Sequence, residues 1–167
     1  AQVTPGDFPS IRRTHGYRYS TKVTRLAMPD YMADTGEREQ ISAGNRKAAD
    51  RILQLCRENG AQLLLVELPS VTSWNAARHR GVAEFAAARE LEFLDLNLLY
   101  DQMGLDGAVA FRDAGNHLNV TGATAVTAYL GRYIARQYRL PDLRGNSRYA
   151  NRQEEWVCYR RFVNGNV

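Results

Sequence analysis

Residues 41 to 140 predict an α/β domain built on a parallel sheet, and three observations predict it. Helical and strand patterns alternate along this stretch in the order α-β-α-β-α. The first strand pattern is a continuous apolar run, Leu63-Leu-Leu-Val66, instead of an in-out alternation. Such a run marks a strand covered on both faces, as in a parallel sheet. Pro69 and Gly60 fall where a strand and a helix must end.

The elements follow in chain order. Residues 1–40 carry Pro5, Gly6, Pro9, Gly16, Pro29 and Gly36 and read as an irregular N-terminal segment or arm. Within it Tyr17–Val23 alternates and is a candidate short strand. A helix is predicted from about Ser42 to Asn59, with Ala48, Ile52, Leu55 and Ala49, Leu53, Cys56 on one side. Gln62–Leu68 is the first strand. A helix over about Ala76–Glu90 turns Val82, Phe85 and Ala86 inward. Glu92–Leu96 is the second strand, and the β-α-β order requires a right-handed parallel crossover. A helical turn over Leu98–Met103 opens a glycine-rich loop that runs to Asn116. The last helix spans about Val120–Tyr138, with Ala123, Val126, Thr127, Leu130 and Ile134 as its buried stripe. Leu140-Pro-Asp-Leu-Arg144 stops it, and residues 141–167 form a wrapping C-terminal tail.

This order is the second half of an open, doubly wound α/β domain. Two central strands are fewer than the roughly five such a sheet commonly holds. Either the first 40 residues hold unseen strands or the N-terminal half of the sheet lies outside the chain. In the latter case a companion chain or a second copy is expected to complete the sheet.

The 167 residues carry 22 Lys+Arg against 18 Asp+Glu, a net charge of +4. The arginines concentrate at Arg12, Arg13 and Arg18 and in the tail, where Tyr149, Trp156, Tyr159 and Phe162 accompany them. That composition can read nucleic acid. The favoured reading is a tail anchored by aromatics on its own domain, with no nucleic acid partner. No apolar run reaches the roughly 20 residues of a transmembrane helix. Cys56 and Cys158 make neither a disulfide framework nor a metal site. No metal-ligand spacing and no glycine-rich phosphate loop is present, so no cofactor is expected.

The chemistry concentrates in Phe111-Arg-Asp-Ala-Gly-Asn-His-Leu-Asn119. An acid and a histidine share a short polar loop just before a helix, as in hydrolases that orient a general base with a carboxylate. His117 is the candidate base and Asp113 its orienting acid. Sites in open α/β sheets form beyond the carboxyl ends of strands. That rule gathers Pro69–Asn75, Asp95–Asn97 and the His117 loop, and it makes Ser70, Trp74 and Asn116 candidates for contacting substrate. Ser70 and Ser73 lack the Gly-x-Ser-x-Gly setting of an exposed nucleophile. His79 is expected on the solvent face of its helix, and His15 in the irregular arm.

These residues resemble the SGNH (GDSL-type) hydrolase superfamily, most nearly bacterial SGNH-like proteins with a long C-terminal tail. The resemblance rests on Leu64-Leu-Val-Glu-Leu-Pro-Ser70 with Trp74, Phe93-Leu-Asp-Leu-Asn97, Asp113 to His117 with Leu118-Asn119 and Gly122-Ala123, and Leu140–Arg144. It covers about residues 43 to 145. It implies a flavodoxin-like three-layer α/β/α fold, of which this chain holds the C-terminal half. It also implies Ser-His-Asp hydrolysis of esters or acylated carbohydrates, with His117 and Asp113 as base and acid. The family's serine and its oxyanion-holding glycine and asparagine sit on earlier strands, and none of those blocks occurs here. The family spaces acid and base as Asp-x-x-His, whereas three residues separate Asp113 from His117 and Ala114 fills the usual acid position. The expected function is a serine esterase or O-acyl hydrolase whose nucleophile lies outside the chain. The alternatives are a carbohydrate O-acyltransferase or a non-catalytic binding module.

Overall fold

The computed structural model describes residues 17–163, with side chains through Arg161. Five helices and two strands follow in the order α1 (Ala43–Glu58), β1 (Leu64–Glu67), α2 (Ala76–Ala87), β2 (Glu92–Asp95), α3 (Tyr100–Met103), α4 (Val120–Gln137) and α5 (Ala150–Val163). The architecture is mixed α/β. β1 and β2 pair in parallel, Leu64 opposite Glu92 through Glu67 opposite Asp95, as the β-α-β order requires.

Local chemistry sets each boundary. Ser42 caps α1 by accepting from the Asn45 amide, and Asn75 caps α2 by accepting from the Arg78 amide. Both bonds satisfy donors that a helix start leaves open. Asn119 does the same for α4 through the Gly122 amide, and its side-chain amide donates to the Val109 carbonyl at 2.7 Å. Gly104 closes α3 in the left-handed conformation at φ +62°.

The core lies where β2 meets α3, α4 and the loop between those helices. Leu94, Leu96, Met103, Leu105, Ala110, Phe111 and Val126 are buried together with Val71. Phe111 and Leu96 are wholly enclosed. Gly122 lets α4 approach this loop, since an added Cβ would stand 2.5 Å from the Ala110 carbonyl oxygen.

Several expectations change. The sheet holds two strands among the described residues, and residues 17–40 contribute none. Tyr17–Val23 is an arm without strand pairing. β1 is half-buried at every position instead of covered on both faces, and among the described residues it pairs with no strand other than β2. Ile52, Leu55 and Leu68 are about half exposed, so of the six residues expected on one buried side of α1 only Ala49, Leu53 and Cys56 pack inward, while Ala48, Ile52 and Leu55 face out. Thr127, foreseen as buried on α4, faces solvent. The tail is partly helical, and Tyr159 of α5 meets Tyr17 edge-on at 6.2 Å. The flavodoxin-like three-layer arrangement is the finer expectation that two strands leave open.

Residues 34–41 form a strap over α2. Arg38 pairs with Glu84, Arg78 with Glu39 and Arg80 with Asp34. The Glu39 amide donates to the Ala77 carbonyl at 3.0 Å. Gly81 makes this possible: an added Cβ would lie 1.9 Å from the Glu39 carbonyl oxygen.

Two glycine-to-alanine changes in helices should therefore act with opposite sign. Gly131 in α4 has nothing within 4 Å of an added Cβ, so Gly131→Ala should stabilise by about 0.5–1 kcal/mol through helix propensity. Gly81→Ala should destabilise by roughly 1–3 kcal/mol, because the strap must lift. Denaturant unfolding of both variants checks this; a stabilised Gly81→Ala would show that the strap is not seated.

Candidate functional site

The loop from Phe111 to Asn119 is held at both ends. Phe111 and Leu118 form an antiparallel bridge, the Arg112 amide donates to the His117 carbonyl at 3.0 Å, and the Asn119 amide donates to Ala110 at 2.8 Å. The N-terminal arm fastens its outer side: Thr24 donates to the Phe111 carbonyl from its amide and to the Arg112 carbonyl from its hydroxyl, and the Val120 amide donates to Ser20. On the inner side the Val71 amide donates to the Gly115 carbonyl at 2.7 Å. Gly115 has φ +95°, and a Cβ there would lie 2.7 Å from that of Val71. Only glycine meets both conditions.

Within this frame Asp113 and His117 are paired. The carboxylate Oδ2 lies 2.7 Å from imidazole Nδ1. Its Oδ1 accepts from the backbone amides of Asn116 at 2.9 Å and His117 at 2.8 Å. The Gly115 amide closes a tight turn onto the Asp113 carbonyl. That turn absorbs Ala114, so the extra residue between acid and base bulges and the pair survives. Ala114 itself is exposed. Partial burial acts to raise the Asp113 pKa, but the bonds from the His117 amide and ring and from the Asn116 amide outweigh it and hold the carboxyl below its ordinary range.

The histidine side chain is 54% exposed. It lines a cavity of about 280 Å³ with Arg18, Tyr19, Ser20, Lys22, Arg112 and Asp113. Nδ1 is committed to Asp113. No bond to Nε2 is formed among the described residues, so the second nitrogen is available to a ligand. An imidazole fixed through one nitrogen and open at the other can take up and return a proton.

The sequence candidates beyond β1 lie close by. The Ser70 and Ser73 hydroxyls share a hydrogen bond of 2.5 Å, and Ser70 Oγ stands 3.5 Å from Asn116 Oδ1. Ser70 is buried, and its amide is spent on Asn97 Oδ1. The Val71 amide is spent on Gly115. Ser70 is therefore no exposed nucleophile, and neither its amide nor that of Val71 is free as an oxyanion donor, while Ser73 is exposed. Ser70 and Asn116 meet each other, while Trp74 turns away to Asp95.

A second histidine–carboxylate pair is a finding that sequence reasoning placed elsewhere. His79 is not on the solvent face of α2. Its Nδ1 lies 2.7 Å from Asp95 Oδ2, and its ring packs at 5.6 Å on Phe93. Trp74 Nε1 donates to the same oxygen at 2.8 Å, and Asn97 donates to Oδ1 from both its amide and its side chain. Asn97 Oδ1 in turn accepts from the Tyr31 hydroxyl at 2.9 Å. Burial pushes the Tyr31 phenol upward, so it stays a donor. The Asp95 side chain is 1% exposed. A buried carboxylate with this many donors braces the strand ends. The available signal was Trp74 followed by His79 at the start of a helix after a strand, with Asp95 at the next strand end. Beside Asp95 in register stands Glu67, whose pKa is raised by burial and by the Asp95 charge, with Arg78 offsetting part of it.

Among the described residues no cluster of His, Cys, Asp or Glu could hold a metal ion. No helix in that range is long and apolar enough to cross a membrane. No protein-family model matches the chain, and no curated protein or solved structure does either.

Because its folded pKa is depressed, Asp113 contributes stability that is present above the ordinary carboxylate range and lost as pH falls through the folded value. Asp113→Asn should therefore lose less Tm than the parent chain between about pH 5 and pH 2. Thermal melts across that range measure it. Parallel curves would mean that the carboxylate does not hold the loop.

Proposed function

We propose that the chain carries the acid–base half of an SGNH-like site for serine ester hydrolysis, acting on esters or acylated carbohydrates. The observation that carries this is the Asp113–His117 pair, joined at 2.7 Å, with Nε2 unbonded among the described residues and the histidine lining a cavity. In this reading a serine hydroxyl gives its proton to Nε2 as its oxygen attacks the ester carbonyl. The protonated ring then returns that proton to the departing alkoxide, leaving an acyl-serine. Water attacks the acyl-serine in a hydrolase; a sugar hydroxyl would do so in an O-acyltransferase. Asp113 fixes the tautomer that presents a bare Nε2.

The nucleophile comes from outside these residues. Ser70 and Ser73 bond each other, Ser70 is buried, and the amides of Ser70 and Val71 are occupied. The half-buried β1 and the exposed Ile52, Leu55 and Leu68 support a companion chain or second copy that extends the sheet and brings the serine and oxyanion donors. His117 is favoured over His79 as the base because it lines a cavity, whereas His79 and Asp95 belong to a buried brace.

A second reading, a non-catalytic binding module, draws on α5. Trp156 is 57% exposed there and stacks on Tyr159 at 5.9 Å, with Arg160 and Arg161 in the last turn. Exposed aromatics with arginines are typical of contact surfaces.

Nitrophenyl acetate and butyrate separate these readings. The chain alone should be nearly inert, because base and acid without nucleophile and oxyanion donors lose most of the rate enhancement. Joined to the segment that supplies the serine, it should turn over, and His117→Ala should lower kcat by about a thousandfold. Turnover by the isolated chain that Ser70→Ala abolishes would place the nucleophile here. Loss on His79→Gln with none on His117→Ala would move the base to α2. Activity indifferent to both would leave the binding module.

A further inference from the structure

The cavity beside His117 carries an uneven charge. Arg18, Lys22 and Arg112 line it, and Asp113 is its single carboxylate. Both oxygens of that carboxylate are occupied by the Asn116 amide, the His117 amide and the His117 ring. Arg18, Lys22 and Arg112 form no ion pair with any described residue. In the cavity between the strap and α2, two of the three lining arginines are paired: Arg38 meets Glu84 and Arg89 meets Asp50.

The fold also sets these three cations in place. Arg112 follows the enclosed Phe111, and its amide and carbonyl are both bonded, to His117 and to Thr24. Arg18 and Lys22 flank Ser20, whose carbonyl accepts from the first amide of α4 and whose hydroxyl accepts from the Lys22 amide. The backbone at Arg112 and Lys22 is thus held by hydrogen bonds, and Arg18 lies two residues before the anchored Ser20. Convergent cations on fixed backbone recognise an anionic group through charge-assisted hydrogen bonds.

We propose that this cavity binds the anionic part of the substrate, a phosphate or carboxylate borne by the sugar or alcohol whose ester His117 helps to cleave. That the anion belongs to a substrate rests on the ester-cleaving reading; that the cavity binds an anion does not. A volume of about 280 Å³ suits a single charged sugar ring or head group instead of a long acyl chain. The cations would draw anionic esters over neutral ones and set the ester bond beside the imidazole.

The experiment titrates the 167-residue chain, isotopically labelled at histidine, with glucose 6-phosphate, glucuronate and glucose at low ionic strength, following the His117 ring by NMR. Saturable shifts are expected with one or both charged sugars, at least tenfold tighter than with glucose. The two charged probes distinguish phosphate from carboxylate. Lys22→Gln and Arg112→Gln should each weaken binding roughly three- to tenfold, and added salt should weaken it further. Arg18→Gln, on an exposed side chain, replaces Arg112→Gln if the latter loses its native spectrum. Equal binding of glucose, absence of binding by both charged sugars, or anion binding indifferent to these substitutions would overturn the proposal. The readout does not depend on turnover. Anion binding without His117-dependent ester cleavage in the joined protein would remove the hydrolase reading and leave the anion site. Cleavage without anion binding would do the reverse.

Discussion

The hydrogen bond from the Val71 amide to the Gly115 carbonyl seats one loop on another, and the site depends on it. At 2.7 Å, with no side chain between, it joins the turn after β1 to the loop before α4. Gly115 can sit there only because it lacks a Cβ and tolerates a positive φ. Its position fixes the tight turn over Ala114. That turn in turn decides that Asp113 reaches back to the imidazole of His117. A side chain at 115 would separate the turn after β1 from the histidine loop and leave the imidazole without its anchor.

Around that junction the molecule concentrates its polar bonding. Asp95 gathers Trp74, His79 and Asn97, and Asn97 passes the connection to Ser70 and Tyr31. The ends of both strands are thereby cross-linked to α2 and to the N-terminal arm. Buried carboxylates are tolerated when every lone pair finds a donor, and Asp95 meets that condition. The two histidine–carboxylate pairs differ in what surrounds them. In one, Asp95 is enclosed, His79 is 28% exposed and the pair braces the fold; in the other, His117 is half exposed and lines a basic cavity. Exposure, more than the pairing itself, sets His117 apart from His79.

The arm and strap show how irregular chain can do structural work without secondary structure. Residues 20–26 bond the histidine loop and the start of α4 through backbone groups, and residues 34–41 lie on α2 through ion pairs and the gap at Gly81. Surface ion pairs are individually weak, so the close backbone approach at Gly81 matters more to the strap's placement than the arginines around it. Two apolar residues of α1, Ile52 and Leu55, face outward, and β1 is half-buried at every position.

The sequence by itself determined the elements of the middle region and the pairing of Asp113 with His117. Apolar periodicity acts within a few positions, so the helices starting near Ser42, Ala76 and Val120 and the strands within Gln62–Leu68 and Glu92–Leu96 could be read without knowledge of the rest. Asp113 and His117 were legible because they share one loop. What lies far apart in the chain was not legible. His79 meets Asp95 only because a strand and a helix end at the same level. Arg18 and Lys22 join Arg112 only because an arm without periodic pattern docks on a distant loop. Ile52 is left outside, and Leu53 inside, by which side of α1 the chain happens to cover. Local pattern fixes which face of an element is apolar; long-range backbone bonds and close approaches at glycine decide what that face, and each charged side chain, finally meets.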